Sequence, residues 1–183
     1  QTVQEILEAE GVKFRLKAEC ISFSPCEEGV CTNVVCDDPS QPQVKGSHVL
    51  LAIGRRPNTD DLGLDKAGVQ VDPRGYIVVD DQLRTNVQGI WAMGDCNGKG
   101  AFTHTAYNDF EIIAANLLDN DPRKVSDRIT CYGLFIDPPL GRVGMTEAEA
   151  RATGRNILVG KRAMTRVGRA VEKGETQGFM KVL

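Results

Sequence analysis

Apolar residues at Val3, Ile6 and Leu7 recur at helical spacing and Gly11 supplies a stop, so the pattern predicts a helix over Thr2 to Glu10. Alternation then replaces that period. Val12 to Phe23 and Val30 to Cys36 read as strands around the turn-like Cys26-Glu-Glu-Gly29, with a loop over Asp37 to Pro42. His48-Val-Leu-Leu-Ala-Ile53 is a continuous apolar run ending at Gly54, the pattern of a strand covered on both faces. A connection rich in Pro and Asp follows over Arg55 to Asp61, then two short strands at Tyr76 to Val79 and Gly89 to Met93, the second running into Gly94-Asp95. Ala106, Phe110, Ile113, Ala114 and Leu117 form an apolar stripe that predicts a helix over His104 to Leu118. After a linker at Asp119 to Asp127, the pattern becomes strand, helix, strand: Thr130 to Ile136, a capping box at Thr146-Glu-Ala-Glu149 opening a helix that stops at Gly154, then strands at Asn156 to Lys161 and Gln177 to Leu183. Mixed helices and strands of these lengths make an α/β chain.

Composition narrows this little. Of 183 residues, 41% are hydrophobic and 26% charged, which excludes a disordered chain. The net charge of −3, with Lys and Arg scattered, gives no electrostatic footprint for nucleic acid or an anionic membrane. No apolar run approaches the ~20 residues of a bilayer span and the N-terminus lacks a secretory layout, so a cytoplasmic address is expected. The chain starts at Gln1 inside an expected helix and stops at Leu183 inside an expected strand, so both ends read as cuts within a longer polypeptide.

Two strings carry family information. Leu51-Ala-Ile-Gly-Arg-Arg-Pro-Asn58 resembles the A-x-G-R-x-P-N segment, and Thr85-Asn-Val-Gln-Gly-Ile-Trp-Ala-Met-Gly-Asp95 the second FAD motif, of FAD-dependent pyridine nucleotide-disulfide oxidoreductases. Ala101-Phe-Thr-His-Thr-Ala-Tyr-Asn-Asp109 and Phe135 to Glu147 look like that family's flavin helix and the opening of its dimerisation domain, especially in the branch of mercuric reductase. The resemblance covers essentially the whole chain and is weakest over Asp37 to Gly46.

The second motif is also readable as chemistry. A strand running into Gly94-Asp95 places a carboxylate at the carboxyl edge of a sheet, where ligands of α/β folds bind, and Gly permits close backbone approach. The following helix aims its positive end the same way. Taken alone, Asp95 reads as a turn or helix cap, and Gly54 could be a strand-end turn. The resemblance implies more: Asp95, with Gly94, binds the ribityl chain of FAD, Ala101, Phe102, Thr103 and His104 line the flavin, and Gly54 lies beside bound NAD or NADP. The family's catalytic His lies in a motif this chain does not contain, so His104 reads as a lining or capping residue. His48 reads as packed or exposed, and Arg55 and Arg56 stay unassigned.

Six cysteines, at 20, 26, 31, 36, 96 and 131, include no CxxC pair. Cys31-Thr-Asn-Val-Val-Cys36 resembles the family's C-x-N-x-G-C redox pair but has Val35 where that motif has Gly. In an extended strand, residues five apart lie about 16 Å from each other, beyond the ~7 Å limit for a disulfide. Cys26, Cys31 and Cys36 are therefore expected to be unlinked structural thiols, the 26/31 pair being the less secure because of the turn between them.

The resemblance implies three parts: residues 1–57 closing an NAD(P)-binding domain, 58–126 the second segment of a Rossmann-like FAD domain, and 127–183 the start of an α+β dimerisation domain. In the intact homodimer, hydride would pass from NAD(P)H to FAD and on to a cysteine pair and a disulfide, metal or other small-molecule acceptor. No metal site is expected. Neither G-x-G-x-x-G fingerprint occurs, so the isolated chain should be colourless, associating and inactive. The alternatives are a non-catalytic dimerisation or scaffold piece, and a flavoprotein reductase without disulfide chemistry.

Overall fold

The computed structural model describes residues 1–27, 29–35 and 42–183, with the side chains of Cys20 and Val35 excepted. In chain order the regular elements are α1 (Thr2–Ala9), β1 (Glu19–Cys26), β2 (Gly29–Val35), β3 (Gln43–Gly46), α2 (Leu64–Ala67), α3 (Thr103–Leu118), β4 (Cys131–Leu134), β5 (Leu140–Val143), α4 (Glu147–Ala152), β6 (Gly160–Ala163), α5 (Gly168–Lys173) and β7 (Phe179–Val182). Two compact units divide the chain: residues 1–53, 136–138 and 150–183, and residues 54–135 and 139–149.

In the first unit, α1 ends where expected, with Gly11 at φ +91°. β1, β2 and β3 form an antiparallel meander, and β6 pairs with β7. The long strand expected from Val12 begins only at Glu19, and the loop expected over Asp37 to Pro42 lies, except for Pro42, outside the described residues. Gly29 is required by packing: at φ +125°, a Cβ there would sit 2.7 Å from the Gly46 carbonyl oxygen, so only glycine lets the β1–β2 turn lie against the end of β3.

The expectation that Cys26 and Cys31 remain apart is overturned. They are joined by a disulfide with their Cα atoms 5.8 Å apart. The 16 Å separation assumed one continuous strand, whereas the chain reverses after Cys26, so that Cys26 faces Gly29 and Ser24 faces Cys31 across the hairpin. The two sulfurs become diagonal cross-strand neighbours. Cys36 lies outside the described residues, and Cys96 and Cys131 are free thiols.

His48 to Ile53 does not form the expected strand. Leu50 is 88% and Ile53 91% exposed, and among the described residues no strand pairs with this run. A buried strand needs neighbours to pair with, and the described residues supply none.

In the second unit, Val69, Ile77 and Ala92 form a small core, with Leu64, Val79, Val87 and Cys96 packed around it. The strands expected at Tyr76 to Val79 and Gly89 to Met93 shrink to single bridges, Val71 with Ile77 and Arg84 with Trp91. Tight turns consume the backbone pairing here: Asp80 Oδ1 accepts from the amides of Gln82 and Arg84, and Asp72 Oδ1 from those of Arg74 and Tyr76. α3 forms as expected, but its buried face is Asp109, Ile112 and Ala115, while Phe110 and Leu117 of the expected stripe are half exposed. β4 and β5 pair antiparallel, and α4 opens on the capping box: the Thr146 amide donates to Glu149 Oε2 at 2.6 Å and the Glu149 amide to Thr146 Oγ1 at 3.0 Å.

Candidate functional site

The Gly94-Asp95 turn is built from backbone constraints upward. Gly94 has φ +78° and ψ −159°, a combination open essentially to glycine alone. Asp95–Asn97 then makes one tight 3-10 turn, closed by Gly98 at φ +69°. The Ile77 amide donates to the Cys96 carbonyl at 2.9 Å, tying the turn to the small core. A Cβ on Gly98 would meet the Tyr76 ring at 3.1 Å, so the glycine lets that ring lie against the turn.

A buried carboxylate clamps both ends of this turn. Asp109, on α3 and 2% exposed, accepts from the Gly94 amide and from Asn97 Nδ2, each at 2.8 Å, through Oδ2. Its Oδ1 accepts from Arg128 Nη2, in an ion pair almost wholly removed from solvent. Arg128 Nε donates to Asn108 Oδ1 at 2.7 Å, and Asn97 Nδ2 also donates to the Ala92 carbonyl at 3.0 Å. The residues flanking Asp95 are thus held from below, and Asp95 itself is free to face outward.

Asp95 does face outward. Its carboxylate lines a cleft of about 550 Å³ together with Arg55, Arg56, Tyr76, Cys96 and Ala101, a volume in the range of small-molecule sites. Arg55 Nη1 reaches Asp95 Oδ2 at 3.4 Å, but with side chains 73% and 57% exposed the pair is solvent-screened and leaves the carboxylate available. Burial pushes the Cys96 thiol above its ordinary range, and the nearby charges of Asp109 and Asp95 push the same way. At neutral pH it is a protonated, weakly nucleophilic thiol that donates to the Met93 carbonyl at 3.3 Å.

Gly100 and Ala101, just before α3, line one side of the cleft. Thr105 Oγ1 receives the Phe102 amide at 3.1 Å and donates to the Phe102 carbonyl at 2.6 Å, which caps the first turn. Gly100 makes this cap possible, because a Cβ there would fall 2.7 Å from Thr105 Oγ1. His104 Nε2 contacts the Cys131 carbonyl at 2.9 Å, so this nitrogen carries the proton and donates. Its ring stacks on Phe102, which in turn stacks on Tyr132.

Of the residues expected in the site, Asp95 and Ala101 line the cleft and Gly94 shapes its floor. Phe102, the N-cap of α3, and Thr103 and His104, which open the helix, are exposed and lie outside the cleft lining. Gly54 is outside the lining, one residue before Arg55; it has φ +126° and open space where a Cβ would stand. Asn97, Asp109 and Arg128 were not found by sequence reasoning. A charged residue on a helix reads as solvent-facing, and nothing in Asn108-Asp109 marks the carboxylate as buried. Among the described residues no group of His, Cys, Asp and Glu could hold a metal ion, and no helix is long and apolar enough to cross a membrane.

Comparison with known proteins places these features. Residues 1–109 match the family model described as pyridine nucleotide-disulphide oxidoreductase, and residues 130–183 that of the same family's dimerisation domain. The solved structure of the HOCl-induced flavoprotein disulfide reductase RclA from Escherichia coli is 36% identical with a TM-score of 0.87, over 98% of this chain and 40% of that one. LpdA from Mycobacterium tuberculosis is 26% identical with a TM-score of 0.83, over 98% of this chain and 38% of that one. A dihydrolipoyl dehydrogenase from Thermus scotoductus is 32% identical over 182 residues, 99% of this chain and 39% of the relative. The chain thus spans about 40% of the length of the relatives it matches.

Proposed function

Because the chain belongs to the pyridine nucleotide-disulphide oxidoreductase family, we propose that it supplies the ribityl side of the FAD site in an NAD(P)H-dependent oxidoreductase. The observation that carries this reading is Asp95: an outward-facing carboxylate on a cleft floor whose flanking residues are clamped by a buried ion pair. FAD, when bound, supplies the two-electron relay between the nicotinamide nucleotide and the acceptor. The residues here fit it. The glycine-only backbone at Gly94 permits close approach, and Asp95 accepts hydrogen bonds from ribityl hydroxyls. Ala101 to His104 present the positive end of α3, which stabilises negative charge at its N-terminus. His104, engaged with the Cys131 carbonyl, holds α3 to β4. Gly54, with its positive φ and open surroundings, is assigned to the bound NAD or NADP.

In the whole protein, Asp95 and the Gly94 turn would hold FAD here for the relay of hydride from NAD(P)H towards a cysteine pair outside this chain and on to the acceptor. The Escherichia coli relative, a flavoprotein disulfide reductase also solved as a Cu(II) complex, supports a disulfide or a metal ion as that acceptor. Homodimerisation is supported by the dimerisation-domain match over residues 130–183 and by apolar side chains such as Phe135, 95% exposed. A cytoplasmic address completes the reading, in keeping with NAD(P)H as the reductant.

The test is an anaerobic titration of a full-length protein carrying this chain with NADH and with NADPH. Bleaching of a bound flavin spectrum by one or both is expected. A full-length protein that takes up no flavin on reconstitution contradicts the reading.

A further inference from the structure

The meander of the first unit holds a second group with redox chemistry, unconnected with the flavin reading. Residues directly opposite in an antiparallel ladder share a face, so Ser24, Cys31 and Lys45 form one row across β1, β2 and β3. Ser22, Asn33 and Gln43 form the next row, stitched by hydrogen bonds from Gln43 Nε2 to Asn33 Oδ1 at 2.9 Å and from Asn33 Nδ2 to Ser22 Oγ at 3.4 Å. This face is polar, and the disulfide sits on it. A structural disulfide of a small core is expected among apolar neighbours; this one opens onto a cleft of about 320 Å³ lined by both cysteines and by Ser24, Glu27, Gln43 and Lys45. The two sulfurs differ in access. Cys31 is 4% exposed, whereas Cys26, at the end of β1, is only partly covered.

We propose that Cys26–Cys31 is a thiol-exchange site for a low-molecular-weight thiol, opened at Cys26. The cleft is at the small end of ligand sites and admits a tripeptide-sized thiol. The incoming thiolate attacks Cys26 Sγ along the accessible side, forming a mixed disulfide and expelling the Cys31 thiolate. Lys45, opposite Cys31 in register and on the same cleft, stabilises that leaving thiolate; Glu27, on the turn side, is the carboxylate among the described residues that line the cleft. A second thiol then attacks the mixed disulfide at its own sulfur, leaving Cys26 as a thiol. The balance is one protein disulfide and two thiols giving two protein thiols and one small-molecule disulfide, with two electrons supplied by the thiols.

The experiment uses oxidised, full-length protein under native conditions, reduced glutathione as the probe, N-ethylmaleimide as the quench, and peptide mass spectrometry as the readout. Early samples are expected to carry glutathione on Cys26 and maleimide on Cys31, and late samples maleimide on both. Lys45→Gln, at an exposed strand position that leaves the fold intact, is expected to slow the first step by about threefold or more, as raising the leaving thiol's pKa does. A first adduct on Cys31, a disulfide that opens only in denaturant, or a Lys45→Gln rate equal to that of the parent overturns the proposal.

Discussion

Asp109 carries more of the site than its sequence neighbourhood suggests. One buried carboxylate receives the Gly94 amide, the Asn97 side chain and the Arg128 guanidinium. Asp109→Asn keeps the shape but sets an amide N–H₂ against a donor on one side or the other, leaving a buried group unpaired at a typical cost of about 1–3 kcal/mol. The expected outcome is local: by hydrogen exchange of the full-length protein, the Gly94 amide loses protection by about tenfold or more, while amides of α1 are unchanged. Unchanged protection at Gly94 would show that the turn stands without its clamp. In the sequence, the Gly94-Asp95 turn was legible through the motif around it, because glycine followed by a lone carboxylate at the end of an apolar run marks a tight turn. The clamp beneath was not, because burial of Asp109 depends on Arg128, 19 residues away.

At the scale of elements, α1, α3 and α4 and the strands β1, β2, β4 and β7 were legible, whereas the short helices α2 and α5 were not and the strand read at 48–53 did not form. A helix closes its hydrogen bonds within a few residues, so local spacing and capping at Thr146 to Glu149 identify it. A strand exists only beside a partner, and His48 to Ile53 has none among the described residues. The Cys26–Cys31 link escaped notice by the same route, since a hairpin reversal turns sequence distance into cross-strand contact. The capping box makes its own prediction. The Thr146 amide and then its hydroxyl hold the Glu149 carboxyl below its ordinary value of 4.5. A depressed folded pKa means that this support is complete above pH 4.5 and is lost as pH falls through the lowered folded value. The Thr146 amide resonance should therefore titrate with a midpoint below 4.5, and Glu149→Gln should abolish that titration. A midpoint at or above 4.5 contradicts the hydrogen bond from the Thr146 amide.

For the whole molecule, the match to pyridine nucleotide-disulphide oxidoreductases over residues 1–109 and 130–183 gives the family and is the ground on which the cleft at Asp95 is proposed as a flavin site. Exposed apolar side chains occur in each unit, Leu50 and Ile53 in one and Phe135 in the other, as expected of surfaces that further polypeptide or a second subunit covers. The account stands or falls on Asp95 as the acceptor for a ribityl hydroxyl. The direct measurement is the FAD dissociation constant of a full-length protein carrying this chain, compared with its Asp95→Ala variant by equilibrium dialysis. A charge-assisted hydrogen bond contributes about 1.5–3 kcal/mol, so the constant should rise by roughly one to two orders of magnitude while the fold is kept. An Asp95→Ala protein that holds FAD as tightly as the parent contradicts it.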